Sequence, residues 1–336
     1  MTKLTIAIPN YNGGENLHRA IESCQKIVLL PEEFEILVVD NCSTDNSIEI
    51  VTELKNRFAN LKLIQNSKNV GRIENWNICI DNAKGEFLIF LFSNDLINNT
   101  NNIDECLRLL EKNENISMCF SSLLKKDVDR TYIKKSFSEK IIECNSRCFS
   151  KECLNRGLLP FGPIQALIYR VNDIKKDQSQ FRIDMPINAD EIFTYKEAVK
   201  REKILFSPKP QITWDLTQGR FHGQMKIEDE FKEHSETIKI ISEDTGIQVD
   251  YGLVSTYRAI NLLKFSTSNL KSKGKKDATK QLVSKMKQSK SFFNMDKILL
   301  KTFVEKIKNS KKDADDLLYS TIISECQKLK SGKSDK

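Results

Sequence analysis

Short apolar runs alternate with stretches of helical periodicity through the first half of this chain, and that alternation restricts its fold more than any other feature. Leu4-Thr5-Ile6-Ala7-Ile8-Pro9 is a β-rich run stopped by Pro9, after which Leu17, Ala20, Ile21, Cys24, Ile27 and Val28 recur at helical spacing. Phe34-Glu35-Ile36-Leu37-Val38-Val39 is a second strand ending at Asp40, and Ser43 and Thr44 lie in a turn. Ile48, Val51, Leu54 and Phe58 then mark a second amphipathic helix, and Leu61-Lys62-Leu63-Ile64 reads as a third strand. The pattern predicts a helix at 75–83, a strand at 87–91, a helix near 103–112 and a strand at 118–124. Continuous apolar strands joined by connections long enough for crossover helices predict an α/β fold with a mostly parallel sheet covered on both faces. Ligands of such sheets bind beyond the carboxyl ends of the strands, so chemistry is expected after Ile8, Val39 and Leu91.

The alternation then loosens. Residues 125–150 are polar and are assigned to no element, 164–169 is expected to be a strand, 190–200 a helix and 204–206 a final short strand. From about Ile227 the chain reads as successive lysine-rich helices interrupted by Ser272-Lys273-Gly274-Lys275-Lys276 and Asn309-Ser310-Lys311-Lys312. A domain boundary is expected near residue 225, dividing 1–225 from a helical region at 226–336. Net charge is +7, yet residues 261–336 alone carry nineteen lysines against eight acids, so the positive charge belongs to the tail. That tail has few aromatics to interleave with bases, which argues against nucleic acid and leaves a solvated face or a peripheral contact with an anionic membrane. No run approaches the roughly 18–20 apolar residues of a membrane span, and the first residues lead straight into a strand pattern, so a cytosolic location is expected. The nine cysteines form no C-x-x-C pair, and the cluster Cys144, Cys148 and Cys153 has none of the three histidines (His18, His222, His234) near it. Reduced thiols are expected rather than a zinc site.

Three strand ends collect polar groups: Pro9-Asn10-Tyr11-Asn12, Asp40-Asn41-Cys42-Ser43-Thr44-Asp45 and Ser93-Asn94-Asp95. A carboxylate in such a place can accept from a base or ribose, or hold a divalent cation beside a phosphate. Singly, each is equally an ordinary cap or turn residue. Their order closely resembles the family 2 glycosyltransferases of the GT-A fold. The resemblance rests on Pro9-Asn10-Tyr11-Asn12 with Glu15, on Val39-Asp40-Asn41-Cys42-Ser43-Thr44-Asp45, and on Asn69-Val70-Gly71, Asn75-Trp76-Asn77 and Gly85-Glu86-Phe87. It covers a donor half of about 3–125 strongly and an acceptor half of about 150–222 more weakly.

The resemblance implies that Pro9, Tyr11 and Asp40 hold the nucleobase and ribose of a nucleotide-sugar donor, with Asn12, Glu15, Gly71, Arg72 and Asn94 in the same cleft. Arg72 meets a phosphate charge on this reading, although a surface helix position would need no function. The family's metal motif, Asp-x-Asp or Asp-Asp, is replaced here by Phe92-Ser93-Asn94-Asp95. Asp95 is the expected ligand of Mg2+ or Mn2+, with His222 a further candidate, because these ions commonly take one or two carboxylates plus substrate phosphates. The general base of an inverting transfer falls on Asp190, with Glu191 as its substitute one register away; on charge alone both also suit a helix N-terminus. Gly162, Pro163 and Trp214 are expected to shape the acceptor pocket.

The expected activity is transfer of a sugar from a UDP- or dTDP-linked donor to a saccharide or lipid-linked acceptor of capsule, O-antigen or related glycans. A non-catalytic sugar-nucleotide-binding protein with a degenerate metal motif is the competing reading. A nucleotidyltransferase is disfavoured, since Gly13-Gly14 is too short for a glycine-rich phosphate loop.

Overall fold

The computed structural model describes residues 2–126, 131–134, 138–161, 163–215, 217, 227–251, 254, 322, 323, 326 and 327. These fall into two compact units, Met1–Arg147 with Phe161–Thr245 and Cys148–Pro160 with Gly246–Lys336.

In the first unit β1 (Leu4–Asn10), β2 (Phe34–Asp40), β3 (Leu61–Gln65) and β4 (Phe87–Phe90) run parallel in the spatial order β3-β2-β1-β4. β2 is buried along its whole length and β1 at all but Pro9, which is why neither alternates polar with apolar. The connections are α1 (Gly14–Cys24), α2 (Ser47–Lys55) and α3 (Arg72–Asn82). α1 buries Leu17, Ala20, Ile21 and Cys24, the i, i+3, i+4, i+7 stripe of a helix laid on a sheet. The chain steps outward from β1 to β3 and then returns to the other side of β1 with β4. The carboxyl ends of β1 and β4 therefore flank the point where strand order reverses.

β5 (Leu96–Ile97) and α4 (Thr100–Lys112) follow, and the Asn99 side chain caps α4 by accepting from Asn102 N at 3.1 Å. The remaining elements are β6 (Ile116–Ser121), β7 (Leu123–Lys126), β8 (Thr131–Lys134), β9 (Ile142–Asn145), α5 (Ser146–Asn155), β10 (Leu167–Arg170), α6 (Val171–Lys176), α7 (Ala189–Ala198), β11 (Lys203–Ser207), β12 (Ile212–Asp215) and α8 (Ile227–Thr245). β10 lies antiparallel between β4 and β6, β11 is parallel to β6, and β9 is antiparallel to β11, completing an eight-stranded sheet. A second sheet orders β5-β12-β7-β8. α7 and α8 pack within this unit.

One aromatic cluster joins the two halves of the sheet. Phe181 stacks on Phe193 of α7 at 4.1 Å and meets Phe90 of β4 and Trp76 of α3 edge-on at 5.7 and 5.3 Å. Asn77 fixes the Phe181 backbone, accepting from its N–H at 2.7 Å and donating to its carbonyl at 3.1 Å. Truncating Phe181 to Ala removes about 3–5 kcal/mol of packing.

Several expectations shift. The helix placed at 75–83 starts at Arg72, because Gly71 in an extended positive-φ conformation begins it. The strand expected over 164–169 opens as a single 3-10 turn, Ile164–Ala166, and becomes a strand only at Leu167; every residue of that run is buried, so its apolar pattern carries no period. The run at 118–124 is two strands, β6 and β7, parted at Ser122. Residues 125–150, assigned to no element, supply the end of β7, β8, β9 and the start of α5. Their polarity hid this, because Lys125 occupies an inward position with its ammonium over the Trp214 and Tyr132 rings at 5.3 and 5.5 Å. β12 follows the strand expected to be last. Cys148 is not a reduced thiol but is bonded to Cys326, 178 residues away, a pairing that no local spacing announces.

The second unit buries Phe149, Cys153, Leu154 and Leu158 with Ile247, Val254, Ile322 and Ile323, and Asp250 N donates to Asn155 Oδ1 at 2.9 Å. Most of the lysine-rich stretch lies outside the described residues. Among the described residues no helix is long and apolar enough to cross a membrane.

Candidate functional site

The carboxyl edge of β1 and β2 is a stitched pair of loops. Asn10 and Asp40 are partners in the parallel register, and Asn10 Nδ2 donates to Asp40 Oδ1 at 2.8 Å. Ser43 donates to the same carboxylate twice, from its hydroxyl to Oδ1 at 2.5 Å and from its N–H to Oδ2 at 2.9 Å. Asn12, held at φ 53°, returns the contact: its N–H donates to Ser43 Oγ at 2.9 Å and its Oδ1 accepts from Thr44 N at 2.8 Å. Ser47 Oγ accepts from Gly13 N and Gly14 N, each at 3.1 Å. Asp40 is thus oriented by its own loops, and Oδ2, with a single hydrogen-bond partner among the described residues, keeps a lone pair for a further donor such as a base N–H. Tyr11 stands above this edge with 52% of its surface exposed, an aromatic face offered to a planar ligand. Pro9 is half-buried, and Glu15 is exposed in the first turn of α1.

Asn41 carries the edge across to α3. Its Nδ2 donates to Asn69 Oδ1 at 2.9 Å and to Gly71 O at 3.3 Å, while its Oδ1 accepts from Val70 N at 2.9 Å and Asn66 Nδ2 at 3.1 Å. Asn75 extends the chain, accepting from Asn66 Nδ2 at 2.9 Å and donating to Val39 O at 3.0 Å. These amides fix the turn in which Gly71 adopts φ 88°, ψ 163°, a region open to glycine alone. Arg72 follows with its guanidinium 4.7 Å over the Trp76 ring and a hydrogen bond to Pro186 O. Burial lowers the Arg72 pKa, opposed by the charges of Asp190 and Glu233.

Asn94 and Asp95 are turned toward β12. Asn94 Nδ2 donates to Asp215 O at 2.8 Å. Asp95 is 0% exposed; its Oδ2 accepts from Gln165 Nε2 at 2.9 Å and its Oδ1 from Asp215 N at 3.1 Å. Burial pushes the Asp95 carboxyl up to about 8, with the charge of Asp215 adding to the rise. For Asp215 itself burial works against ionisation, but hydrogen bonds from Thr217 and Lys126 outweigh it and hold its carboxyl below the ordinary range. A neutral, enclosed carboxyl is a poor ligand for a hard cation, which needs an open anionic oxygen. Among the described residues no group of three or more His, Cys, Asp or Glu is placed to hold a metal ion. Among the described residues, those around Asp95 therefore do not fit a resident Mg2+ or Mn2+.

The first turn of α7 carries Asp190 and Glu191. Glu191 is 5% exposed and its Oε2 accepts from Phe161 N at 3.2 Å, so it fastens the segment ahead of Pro163. Asp190 is half-buried, and its Oδ1 accepts from Glu191 N at 3.0 Å. Pro163 precedes the 3-10 turn that delivers Gln165, and Trp214 sits half-buried on β12 beneath the Lys125 ammonium. Gly162 and His222 lie outside the described residues.

Arg72, Asp190 and Glu233 come together here, as do Asn10, Asp40 and Asn12; Asn94 and Asp95 belong instead with Asp215. Sequence reasoning assigned no role to Asn10, Asn41, Gln165 or Lys126. A lone polar residue inside the apolar run Ile164-Gln165-Ala166-Leu167 was the available signal for Gln165.

The family model for glycosyl transferase family 2 matches residues 5–176. The poly(ribitol-phosphate) beta-N-acetylglucosaminyltransferase TarS of Staphylococcus aureus is 27% identical over 208 residues, 61% of this chain and 34% of that protein. The chain thus spans about a third of the length of this curated relative. The crystal structure of S. aureus TarS 1–349 in complex with UDP-GlcNAc superposes with a TM-score of 0.63 at 18% identity, covering 100% of this chain and 93% of that one. The mannosyltransferase PcManGT of Pyrobaculum calidifontis, in complex with GDP-Man and Mn2+, superposes with a TM-score of 0.53 at 12% identity over 98% and 88% of the two chains. At these identities the likeness is one of fold, and it is the GT-A fold that the resemblance implied. Divalent metals are common among enzymes of that fold.

Proposed function

Since the chain belongs to glycosyl transferase family 2, we propose that it is an inverting glycosyltransferase that moves a sugar from a UDP-linked donor to a hydroxyl of a surface polymer. The observation that carries this reading is the carboxyl edge of β1 and β2. An oriented Asp40 carboxylate beside an exposed Tyr11 ring offers a nucleobase one hydrogen-bond acceptor and one flat face. The relative that acts on poly(ribitol-phosphate), together with its UDP-GlcNAc complex, supports UDP-GlcNAc as donor and a polyol-phosphate polymer as acceptor.

In the reaction the acceptor hydroxyl oxygen forms a bond to the anomeric carbon as the bond from that carbon to the diphosphate oxygen breaks. UDP leaves with the electron pair, and the acceptor proton passes to the Asp190 carboxylate on the opposite face. Asp190 is preferred to Glu191 because Glu191 is buried against Phe161 N. Pro163 and Trp214 are assigned to the acceptor side. No step is routed through a metal ion, because Asp95 is enclosed.

The enclosed Asp95 also favours a second reading, a sugar-nucleotide-binding protein without turnover. One experiment decides between them: UDP release from UDP-GlcNAc, with and without poly(ribitol phosphate), beside calorimetric titration with UDP. Acceptor-dependent release is expected. Binding without release would establish the second reading, and absence of binding would exclude both.

A further inference from the structure

The turn that leads into α7 is held from two sides. From α3, Arg72 donates to Pro186 O. From α8, a single carboxylate oxygen, Glu233 Oε1, accepts from Ile187 N at 2.6 Å and Asn188 N at 2.8 Å. Those two N–H groups immediately precede α7, where a helix leaves its donors without intrahelical partners, so a carboxylate there satisfies both while favouring the helix dipole. Three consecutive residues ahead of Asp190 are thus tied to one side chain from the donor half and one from beyond residue 226. No cap from the turn's own sequence does this work, since Asn188 makes no side-chain capping bond.

We propose that Glu233 is a positioning residue for the transfer, setting the place and charge surroundings of Asp190 through the Pro186–Asn188 turn in concert with Arg72. This rests on the reading of Asp190 as the base. Its force comes from geometry: a base must sit within hydrogen-bond reach of the acceptor proton, and a displacement of about 1 Å costs on the order of a hundredfold in rate. Among the described residues, the groups facing Asp190 include Arg72 of α3 and Glu233 of α8, with Glu191 beside it on α7 and the Tyr169 hydroxyl of β10 under its field. Glu233 and Asp190 repel one another, and Arg72 attracts both. Glu233 also lies 57 residues beyond the last residue matched by the family model, so it acts from outside the segment that marks the chain as a transferase.

The test compares Asp190→Asn, Glu233→Ala and Glu233→Gln in the full chain. It reads UDP release with UDP-GlcNAc and poly(ribitol phosphate), UDP affinity by calorimetry, and hydrogen exchange of the Ile187 and Asn188 amides. Glu233→Ala is expected to lower kcat by about ten- to a hundredfold, with UDP affinity unchanged and both amides exchanging faster. Glu233→Gln keeps an acceptor oxygen and is expected to recover most of kcat. It also removes a like charge from beside Asp190, so the acid limb of its kcat–pH profile moves to lower pH, which a purely structural role would not cause. Unchanged exchange at Ile187 and Asn188 in Glu233→Ala, or an unshifted acid limb in Glu233→Gln, overturns the proposal. If Glu233→Ala does not fold, Glu233→Gln decides alone by its acid limb. If Asp190→Asn turns over like wild type, the base assignment fails instead, and the exchange measurement still judges whether Glu233 holds the turn.

Discussion

Asn10 on β1 donates to Asp40 on β2 across 2.8 Å, closing a buried pair at the carboxyl edge of two adjacent parallel strands. Asp40 is therefore part of the fold as well as of the proposed nucleobase site. Asp40→Ala removes the acceptor of three hydrogen bonds and leaves Ser43 N–H without that partner, costing about 1–3 kcal/mol. The same change is expected to weaken UDP binding by at least about tenfold, the effect of roughly 1.4 kcal/mol. Asn10→Ala loses stability too but removes no ligand contact, so its UDP affinity should fall less. Urea unfolding and calorimetry on both variants check this; equal losses of UDP affinity would make Asp40 a scaffold residue only.

Gly13 is placed by what surrounds it. A Cβ there would lie 2.2 Å from Asn10 Oδ1 and 3.0 Å from Ser93 Cβ. Gly13→Ala therefore has to displace Asn10, and with it the Asp40 pair. At Gly71 nothing lies within 4 Å of an added Cβ, so Gly71→Ala meets only backbone strain, of order 1–3 kcal/mol. The expected contrast is that Gly13→Ala loses stability and UDP affinity together, while Gly71→Ala mainly loses stability. Thermal unfolding with and without UDP separates them, and a Gly13→Ala protein that binds UDP normally would contradict the close approach.

Asp95 gives the protein a pH dependence of definite sign. Its folded carboxyl titrates near 8 against 3.8 for an unperturbed group. Between those values the folded chain holds a proton that the unfolded chain has released. The stabilisation is thus complete below about 4 and is lost as pH rises toward 8, by at most about 1.4 kcal/mol per pH unit. In Asp95→Asn the titration is gone, and rotation of the Gln165 amide turns Oε1, which has no partner among the described residues, toward the new donor. Unfolding midpoints measured from pH 4 to 8 should fall for the wild type and stay flatter for Asp95→Asn. Mn2+ or Mg2+ without nucleotide should leave the wild-type midpoint unchanged; a metal-induced rise would mean that Asp95 opens to the ion.

These dependences mark how far the sequence could be read. The parallel half was legible because β1, β2 and β4 are wholly or almost wholly buried and their connecting helices carry one apolar stripe each, so period and length agree. The strands of the second sheet were not, because Lys125 fills an inward position by laying its ammonium on aromatic rings, and a two-residue strand such as Leu96–Ile97 has no period to detect. In the candidate site, Asp40, Tyr11 and Asn12 are named from the family resemblance, and each lies within a few residues of a strand end. Glu233 could not be, since it reaches the site from a distant segment by folding alone, and Gln165 is marked only as a lone polar residue in an apolar run. Asp95 shows the opposite limit: its residue type allows metal ligation, and its burial between Gln165 and Asp215 speaks against it.

Asp190 and Glu191 are adjacent in sequence but not in role. Glu191 Oε2 accepts from Phe161 N inside the protein, whereas Asp190 is half-buried at the start of α7 beside Arg72 and Glu233. Asp190→Asn keeps the size and the hydrogen-bonding oxygen that Glu191 N uses but cannot take a proton. It should lower kcat by about 10²–10⁴ while leaving UDP affinity and the unfolding midpoint near wild type. Glu191→Gln should do the reverse, moving stability by about 1 kcal/mol through the weaker bond to Phe161 and changing kcat little. Steady-state UDP release together with urea unfolding on the two variants reads both quantities. Should Glu191→Gln rather than Asp190→Asn abolish turnover with stability intact, the base would be Glu191 and the bond to Phe161 would have to open during the reaction.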